Sequence, residues 1–452
     1  MTERDTWGER LPRTIGLLPA VMVLIGITIG SGIFRVPATV AGKLGSPGLV
    51  LVAWVLGGVL ALFGALTLAE LAALFPRSGG VFAYIEEGFG PMPAFLFGWS
   101  QLAVIRASAL GAISTIFAEY LGNFVPLTAT QVHWVAAFLI AGVGFINYLG
   151  VQKAAAVTNL ATSVKYGALL MLVLLAFTAP TGSAANFSPL WAGSLGLSAL
   201  ATAMVSVMWA YDGWADLSFM SGEVKNPARN LPLALIIGTL AIIAIYLLVN
   251  VAYMYLVPLP EMAQSRLIAS TAAERIPLLG RAGGSLVSAV VMISTFSSVN
   301  ATMMSSPRIF FAMADRGLFF KAIGRVSPRF KSPSMAVFLA SALGVIYVLF
   351  NDFQQLADKF VLGIWPFYIL AVLAVFVIRK RRPELPRAYR VWGYPLVPVI
   401  FLLASVGMIV NALVTDPRNT GVTFGIIAVG IPVFYVARAL GKIRPVQDGP
   451  TA

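Results

Sequence analysis

Long apolar stretches, separated by short polar segments, follow one another along nearly the whole chain. A helix needs about 20 residues to cross the roughly 30 Å hydrocarbon core of a bilayer, and about twelve stretches have a suitable length. They lie near residues 17–41, 49–75, 93–122, 132–148, 157–180, 197–221, 233–257, 284–313, 334–350, 360–378, 395–415 and 421–440. The pattern predicts an all-α integral membrane protein with about twelve transmembrane helices.

Two of these predicted helices are interrupted near their middle by small or polar residues. The interruptions are Gly-Ser-Gly at 30–32 and Tyr-Asp-Gly at 211–213. Backbone that leaves the helix at membrane depth is tolerated only where it is buried in protein or lines a cavity. Matched breaks in the two halves of a chain therefore indicate a transporter binding site. The alternative for Gly-Ser-Gly is that small residues merely let neighbouring helices pack closely.

A broken helix offers two kinds of backbone group to a ligand. The second half begins with free N–H groups and a positive dipole end, which suit a carboxylate. The first half ends in free carbonyl groups, which suit an ammonium group. An amino acid zwitterion carries both charges and matches both ends.

The predicted helices fall into two groups of five, each starting with a broken helix, followed by two more. This is the layout of inverted-repeat transporters of the LeuT type. The predicted units are a cytoplasmic N-terminal tail, two five-helix repeats, helices 11 and 12, and a cytoplasmic C-terminal tail. Their ranges are 1–13, 14–180, 181–380, 381–440 and 441–452.

Composition and charge agree with a multi-pass protein of the cytoplasmic membrane. Hydrophobic residues make up 59% of the chain and charged residues 11%. Despite a net charge of +13, a nucleic-acid partner is not expected, because the basic residues lie in loops beside apolar segments. With both termini in the cytoplasm, 22 of the 31 Lys and Arg residues fall on the inner side, as the positive-inside rule requires.

The chain offers no constellation typical of an enzyme or of a cofactor site. It has no cysteine, which excludes disulfides, including one to a partner subunit. The single histidine, His133, has no ligand cluster around it, so no metal is expected. Ser31 and Lys165 have the residue types of a catalytic dyad, but nothing else in the sequence supports that role. We therefore expect no catalytic residue and no cofactor, and the bilayer and a small-molecule substrate as partners.

Several motifs resemble those of one known family. In chain order they are Gly30-Ser31-Gly32-Ile33-Phe34, Gly45-Ser46-Pro47-Gly48-Leu49, Ala69-Glu70-Leu71, Ser78-Gly79-Gly80 with Tyr84, and Glu223 followed by Asn226-Pro227-Ala228-Arg229-Asn230-Leu231-Pro232. Together they look like the amino acid–polyamine–organocation (APC) superfamily, and most closely the L-amino-acid transporter (LAT) group with its bacterial relatives. The resemblance extends over roughly residues 14–320.

The resemblance implies a LeuT-type fold that moves amino acids by alternating access, by exchange and without sodium. It implies substrate contacts in both broken helices, at Ile27, Thr28, Gly30, Ser31 and Gly32, and at Trp209, Ala210, Tyr211, Asp212 and Gly213. Trp209 stands where the family has an aromatic gate over the bound substrate. Packing alone is the other possible role of this side chain.

Lys165 lies inside an apolar stretch, where a lone charge would be costly. A lysine in such surroundings can exchange a proton near neutral pH. In the family, a lysine at this place stands where sodium-coupled relatives bind a cation, and it reaches toward the first broken helix and a serine on the eighth. Ser298 is the candidate partner. Alternatively, the lysine extends its amine to the membrane interface.

The sixth helix departs from the LAT pattern, which commonly reads Gly-Gly-Trp-Asn. Here Asp212 brings a carboxylate into the interrupted segment. It could pair with the substrate ammonium group, favour a basic side chain, titrate as a proton site or cap the second half-helix. For Arg106, in the third helix, we predict no role in substrate binding.

The function expected from the sequence is secondary transport of neutral L-amino acids by exchange across the cytoplasmic membrane. Two alternatives stay open. One is a proton-coupled amino acid symporter, which Lys165 and Asp212 would serve. The other is a sensor that binds an amino acid without moving it.

Overall fold

The computed structural model describes residues 13–76, 79–149, 166–193, 196–280, 282–320, 323 and 334–443. Within these ranges the chain is helical apart from loops, turns and an isolated parallel bridge between Ile15 and Val224. Among the described residues, eight helices are long and apolar enough to cross a membrane. The prediction of an all-α membrane protein is thus confirmed, while the count of twelve spans stays a prediction.

The α-helices are numbered here in chain order. They are α1 (Leu17–Thr28), α2 (Val36–Leu44), α3 (Pro47–Leu74), α4 (Val81–Phe89), α5 (Pro91–Leu121, with a π-turn at Gln101–Ile105), α6 (Ala129–Leu149), α7 (Tyr166–Thr178), α8 (Leu197–Tyr211), α9 (Pro227–Leu256), α10 (Leu259–Gln264), α11 (Ile268–Glu274), α12 (Ala282–Asp315), α13 (Ser334–Phe350), α14 (Phe353–Arg381), α15 (Leu396–Thr415) and α16 (Pro417–Ala439). Three short 3₁₀ helices lie at Gly32–Phe34, Ala184–Phe187 and Asp216–Glu223.

Some helices extend beyond the apolar stretches that predict them. Helix α14 begins at Phe353 rather than near 360, because Asp352 and Gln355 form a capping box at its start. Helix α9 begins at Pro227 rather than near 233, since Pro227 occupies a favourable first-turn position after left-handed Asn226. Hydropathy alone cannot reveal such ends, because their first turns are polar.

The two predicted interruptions are present. Helix α1 ends at Thr28, and the chain passes through the 3₁₀ turn Gly32–Phe34 before α2 begins at Val36. Helix α8 ends at Tyr211 and is followed by the 3₁₀ helix Asp216–Glu223. Helix α2 packs against α8, and α1 packs against α9. The second half of the first broken helix, α2, therefore packs against the first half of the second, α8.

On the predicted cytoplasmic side, a buried carboxylate joins α3 to α14 and to the loop that follows it. The Glu70 side chain is only 2% exposed. Arg379 donates to Glu70 Oε1 at 2.9 Å and to Oε2 at 2.5 Å, and the backbone N–H of Val391 donates to Oε2 at 2.8 Å. The Arg387 guanidinium adds an ion pair at 3.4 Å.

We expect Glu70→Gln to lower the stability of the folded protein by about 2 kcal/mol, since two guanidinium groups lose their shared counter-charge. Thermal unfolding in detergent measures this change. The matched control is Glu87→Gln, because the partner of Glu87, Arg382, is 35% exposed and such pairs contribute little. Equal melting temperatures for the two variants would contradict the assignment.

Candidate functional site

The two broken helices touch each other at their interruptions. A Cβ atom placed on Gly32 would lie 2.7 Å from the Cα atom of Ala210. Real Cβ atoms do not approach backbone this closely, so only glycine allows the two segments to cross here. Gly32 and Ala210, predicted site residues from opposite halves of the chain, are therefore direct neighbours.

A second crossing lies one turn further along. Gly213 has a φ of +113°, in a region that residues with a side chain rarely adopt. A Cβ atom there would lie 2.8 Å from Thr28 Oγ1 and 3.0 Å from the Thr28 backbone nitrogen. The structure thus brings together four of the predicted substrate-site residues, Thr28, Gly32, Ala210 and Gly213.

A tyrosine with no role predicted from the sequence bridges both interruptions. The Tyr246 hydroxyl, on α9, lies 2.9 Å from the carbonyl oxygen of Thr28 and 2.9 Å from that of Ala210. These carbonyls belong to the last turns of α1 and α8, where a helix leaves its carbonyl groups without intrahelical donors. A buried tyrosine needs a hydrogen-bond partner for its hydroxyl. The sequence therefore predicts that Tyr246, inside an apolar helix, has such a partner, but it does not predict which one.

Other predicted site residues have different surroundings. The Tyr211 ring packs against Trp54 and Tyr246, and its hydroxyl donates to the Trp54 carbonyl at 3.0 Å. The Tyr211 side chain therefore packs against neighbouring helices, whereas its backbone forms part of the interruption. Ile27 is 39% exposed, whereas Ser31 is buried.

Two buried polar atoms beside the interruptions have no hydrogen-bond partner within the described part of the chain. They are Thr28 Oγ1 and Trp209 Nε1. Buried polar groups are almost always paired, so unpaired ones need an explanation such as a ligand. The same described residues contain no group of three or more His, Asp or Glu side chains that could hold a metal ion. The unpaired atoms and the helix ends suit an organic zwitterion.

An aromatic and charged stack covers the interruptions on the predicted outer side. The Trp209 ring meets Phe360 edge to face at 4.9 Å between centroids, and Phe353 at 6.2 Å. The Arg35 guanidinium lies 5.3 Å above the Phe353 ring and donates to Glu119 at 3.0 Å. Trp209 is buried in this stack, with an exposure of 8%.

The outer halves of the broken helices are also joined directly. The Lys43 amine, on α2, donates to Ser206 Oγ at 2.9 Å and to the Thr202 carbonyl at 3.2 Å, both on α8. Gln354, on α14, donates to the same Ser206 oxygen at 3.1 Å and to Asp358 at 2.7 Å. Ser206 therefore accepts hydrogen bonds from both α2 and α14.

Asp212 accepts a hydrogen bond of 2.9 Å from the Tyr368 hydroxyl on α14. The 3₁₀ helix after the second interruption has Ala215 at its N-cap position and no side-chain capping bond. The Asp212 carboxylate also interacts with the backbone N–H of Gly213, within the interruption, so its capping role stays a prediction. Arg106 is 7% exposed and donates to Gln101 at 2.9 Å.

The candidate coupling pair is described only in part. Lys165 lies outside the described residues. Ser298, on α12, has its hydroxyl oxygen 3.9 Å from the position that a Cβ atom on Gly30 would take, and it donates to the Ser294 carbonyl at 3.0 Å. Helix α12 thus places Ser298 beside the first interruption.

Two helices interrupted at contacting positions inside an apolar bundle define a membrane transporter with discontinuous helices. The chain belongs to the amino acid permease family, whose model matches residues 15–437. It is an APC superfamily member near the LAT group, as the motifs suggested.

Three relatives illustrate the range of similar proteins. The serine/threonine exchanger SteT of Bacillus subtilis is 32% identical over 435 residues, covering 94% of this chain and 97% of the relative. The human b(0,+)-type amino acid transporter 1 is 32% identical over 90% of this chain and 84% of its own. The human cystine/glutamate transporter is 33% identical over 94% and 85%. The three relatives are named for different substrates and are 32–33% identical to this chain, so the comparison does not single out one substrate for it.

Proposed function

We propose that this protein is a secondary active transporter that exchanges neutral L-amino acids across the cytoplasmic membrane by alternating access, without sodium. The observation that carries the proposal is the contact between the two interruptions at Gly32 and Ala210, beside the unpaired polar atoms of Thr28 and Trp209. Exchange is supported by the similarity to a serine/threonine exchanger over nearly the full length of both chains. The non-enzyme assignment follows from the same family membership.

We also propose the finer architecture that the resemblance implies. Two inverted repeats, at 14–180 and 181–380, would surround the site, with α15 and α16 as the two additional helices and both termini in the cytoplasm. The positions of the interruptions at the start of each repeat support this layout. A single-cysteine variant at each terminus, labelled with a membrane-impermeant reagent, tests the orientation on a chain that has no cysteine of its own.

Exchange is tested by uptake of a panel of radiolabelled L-amino acids into proteoliposomes. The vesicles are loaded with unlabelled amino acid or left empty, with sodium or potassium outside, and with or without a pH gradient. We expect uptake of neutral amino acids only into loaded vesicles, at equal rates in sodium and potassium. Accumulation in empty vesicles driven by the pH gradient would replace exchange with proton symport, and binding without uptake would indicate a sensor.

Lys165 and Ser298 are proposed as the pair that takes the place of a coupling cation. Of the two residues, the structure describes only Ser298. Its position beside Gly30 supports its role in the proposed pair. In the proteoliposome assay, Lys165→Ala should lose most exchange while its melting temperature stays near that of the parent protein. Normal uptake by this variant would remove the coupling role.

Trp209 is proposed as the gate over the bound substrate. We expect Trp209→Ala to lower the apparent substrate affinity about tenfold, because the edge-to-face contacts with Phe360 and Phe353 are lost. Substrate release from preloaded vesicles should be faster. Trp209→Phe is the control, since a smaller ring retains part of the stack. Unchanged affinity and release in the alanine variant would show that Trp209 only packs.

A further inference from the structure

A polar cavity, here called the outer cavity, lies between α8, α14, α15 and α16 at the predicted outer end of the bundle. Its volume is about 60 Å³. A space of this size holds about four or five water molecules, or a ligand with a similar number of heavy atoms. Thr415 and Asp416, at the turn between α15 and α16, line the cavity and are exposed. Solutes on the outer side can therefore reach it.

The outer cavity is separate from the candidate substrate site. Helix α14 lines it with Asp358, Lys359 and Leu362, which follow one another at helical spacing and lie on one face of the helix. Phe353 and Phe360, which belong to the aromatic stack over the interruptions, lie one heptad apart on the opposite face. A ligand in the outer cavity is therefore separated from the interruptions by the width of α14.

Lys359 contributes a buried cation to the outer cavity. The residue is only 7% exposed. Asp352, Asp358 and Asp416 interact electrostatically with its amine, but within the described part of the chain no group forms a hydrogen bond or an ion pair with it. An ammonium group has three N–H donors, and burial without acceptors is costly. The amine therefore favours a ligand group that accepts hydrogen bonds, and a carboxylate forms the strongest ones.

The same cavity offers acceptors to a cationic group. Asp416 accepts from the backbone N–H of Asn419 at 3.2 Å and from its side-chain amide at 2.8 Å, and Asp358 accepts from Gln354 at 2.7 Å. A carboxylate has about four acceptor positions, so both keep positions for a further donor. Two carboxylates would repel a purely anionic ligand. A ligand with one carboxylate and one ammonium group suits both these acceptors and the Lys359 amine.

We propose that the outer cavity is a second binding site, which takes the zwitterionic main-chain group of a free amino acid. The ligand carboxylate accepts from Lys359, and the ligand ammonium group donates to Asp358 and Asp416. Glycine, the smallest amino acid, has a number of heavy atoms that matches the volume, and larger side chains extend through the opening. Thr202 and Val205, on α8, also line the cavity. Binding there therefore depends on the position of this half of the second broken helix relative to α14.

The experiment uses the absence of cysteine from the chain. In the full-length Thr415→Cys variant the thiol lies at the cavity opening, and the hydroxyl that it replaces donates to the Asn411 carbonyl of the same helix at 2.9 Å. The rate of labelling by a water-soluble maleimide is measured in detergent with and without glycine. With glycine at about ten times its dissociation constant, labelling should slow about tenfold, because the occupied cavity excludes the reagent. Arg418→Cys, which is exposed beside the cavity and does not line it, should label at an unchanged rate.

Two sets of controls test the chemistry of the site. Acetate and methylammonium each carry one of the two charges, and at the same concentration neither should protect the thiol of the Thr415→Cys variant. Adding Lys359→Met, which removes the amine and keeps an unbranched side chain, should abolish protection by glycine. Lys380→Met, at the exposed inner end of the same helix, is the matched control and should retain it. Lys359→Gln gives the same test if the methionine variant does not fold.

Several outcomes would overturn the proposal. Protection by glycine that persists in Lys359→Met would show that labelling responds to binding elsewhere, and equal protection by acetate would show that one charge is enough. Absence of protection by glycine would leave the cavity to water. Phosphatidylethanolamine carries the same two charges, so labelling is repeated in phosphatidylglycerol vesicles with and without it, and protection by this lipid but not by glycine would reject an amino acid. Exchange in proteoliposomes is a separate measurement, and its absence would refute the proposed function without changing the labelling result.

Discussion

Replacing Gly32 with alanine is expected to reduce amino acid exchange about a hundredfold, which is the scale of loss when reacting or binding groups are displaced by about 1 Å. The added Cβ atom would lie 2.7 Å from the Ala210 Cα atom and 3.0 Å from its Cβ atom. The nearer of these atoms is backbone, which cannot rotate away as a side chain can. The two broken helices would have to separate at the point where both present their ends to the substrate.

Initial rates of exchange in proteoliposomes measure this effect, with the amount of folded protein normalised by size-exclusion chromatography. Gly42→Ala is the matched control, because it places the same methyl group on α2, where the nearest atoms, at 3.7 and 3.8 Å, are at ordinary contact distances. We expect the control to retain parental rates. If both variants transport equally well, the crossing of the two helices at Gly32 is not required for function.

The interruptions could be predicted because their physical cause is local. Glycine and polar residues in an apolar stretch are visible without any knowledge of the fold, and a backbone that leaves the helix in a membrane needs partners. Gly32 and Gly213 were found in this way. Their contacts with Ala210 and Thr28 could not be read from the sequence, since they depend on how the two helices cross.

The contacts around the interruptions come from helices that are distant in sequence. Tyr246 and Tyr368 are single polar groups inside long apolar stretches, and nothing in the local pattern says which carbonyl or carboxylate they meet. The pairing of Arg35 with Glu119 likewise joins α5 to the turn before α2. Such pairs are fixed by helix packing, which one sequence does not reveal.

The substitution Tyr246→Phe is expected to slow exchange about thirtyfold while the protein stays folded. The hydroxyl has one hydrogen and two carbonyl oxygens within 2.9 Å, those of Thr28 and Ala210. The Thr28 oxygen also accepts from the Gly30 N–H at 2.7 Å, so the Ala210 oxygen depends more on Tyr246. A buried carbonyl without its donor costs about 1–3 kcal/mol, and about 2 kcal/mol corresponds to that change in rate if the contact is needed in the transport step.

The position of the hydroxyl explains why transport should suffer more than stability. It lies between the last turns of α1 and α8, so it can donate to either helix as one moves relative to the other. The rigid packing of the Tyr246 ring against Trp54, at 5.5 Å between centroids, keeps it there. Phenylalanine preserves the ring and its packing, and it removes only the hydroxyl between the carbonyl groups of Thr28 and Ala210.

Tyr253→Phe provides the control for this measurement. Tyr253 lies on the same helix, is fully buried, and has a hydroxyl with no hydrogen-bond partner among the described residues. Its loss should leave exchange unchanged and leave the melting temperature unchanged or slightly raised, because an unpaired buried hydroxyl is removed. Equal rates for both variants would show that the two carbonyls find another donor when Tyr246 lacks its hydroxyl. In that case the link between the two interruptions rests on the backbone crossings at Gly32 and Gly213.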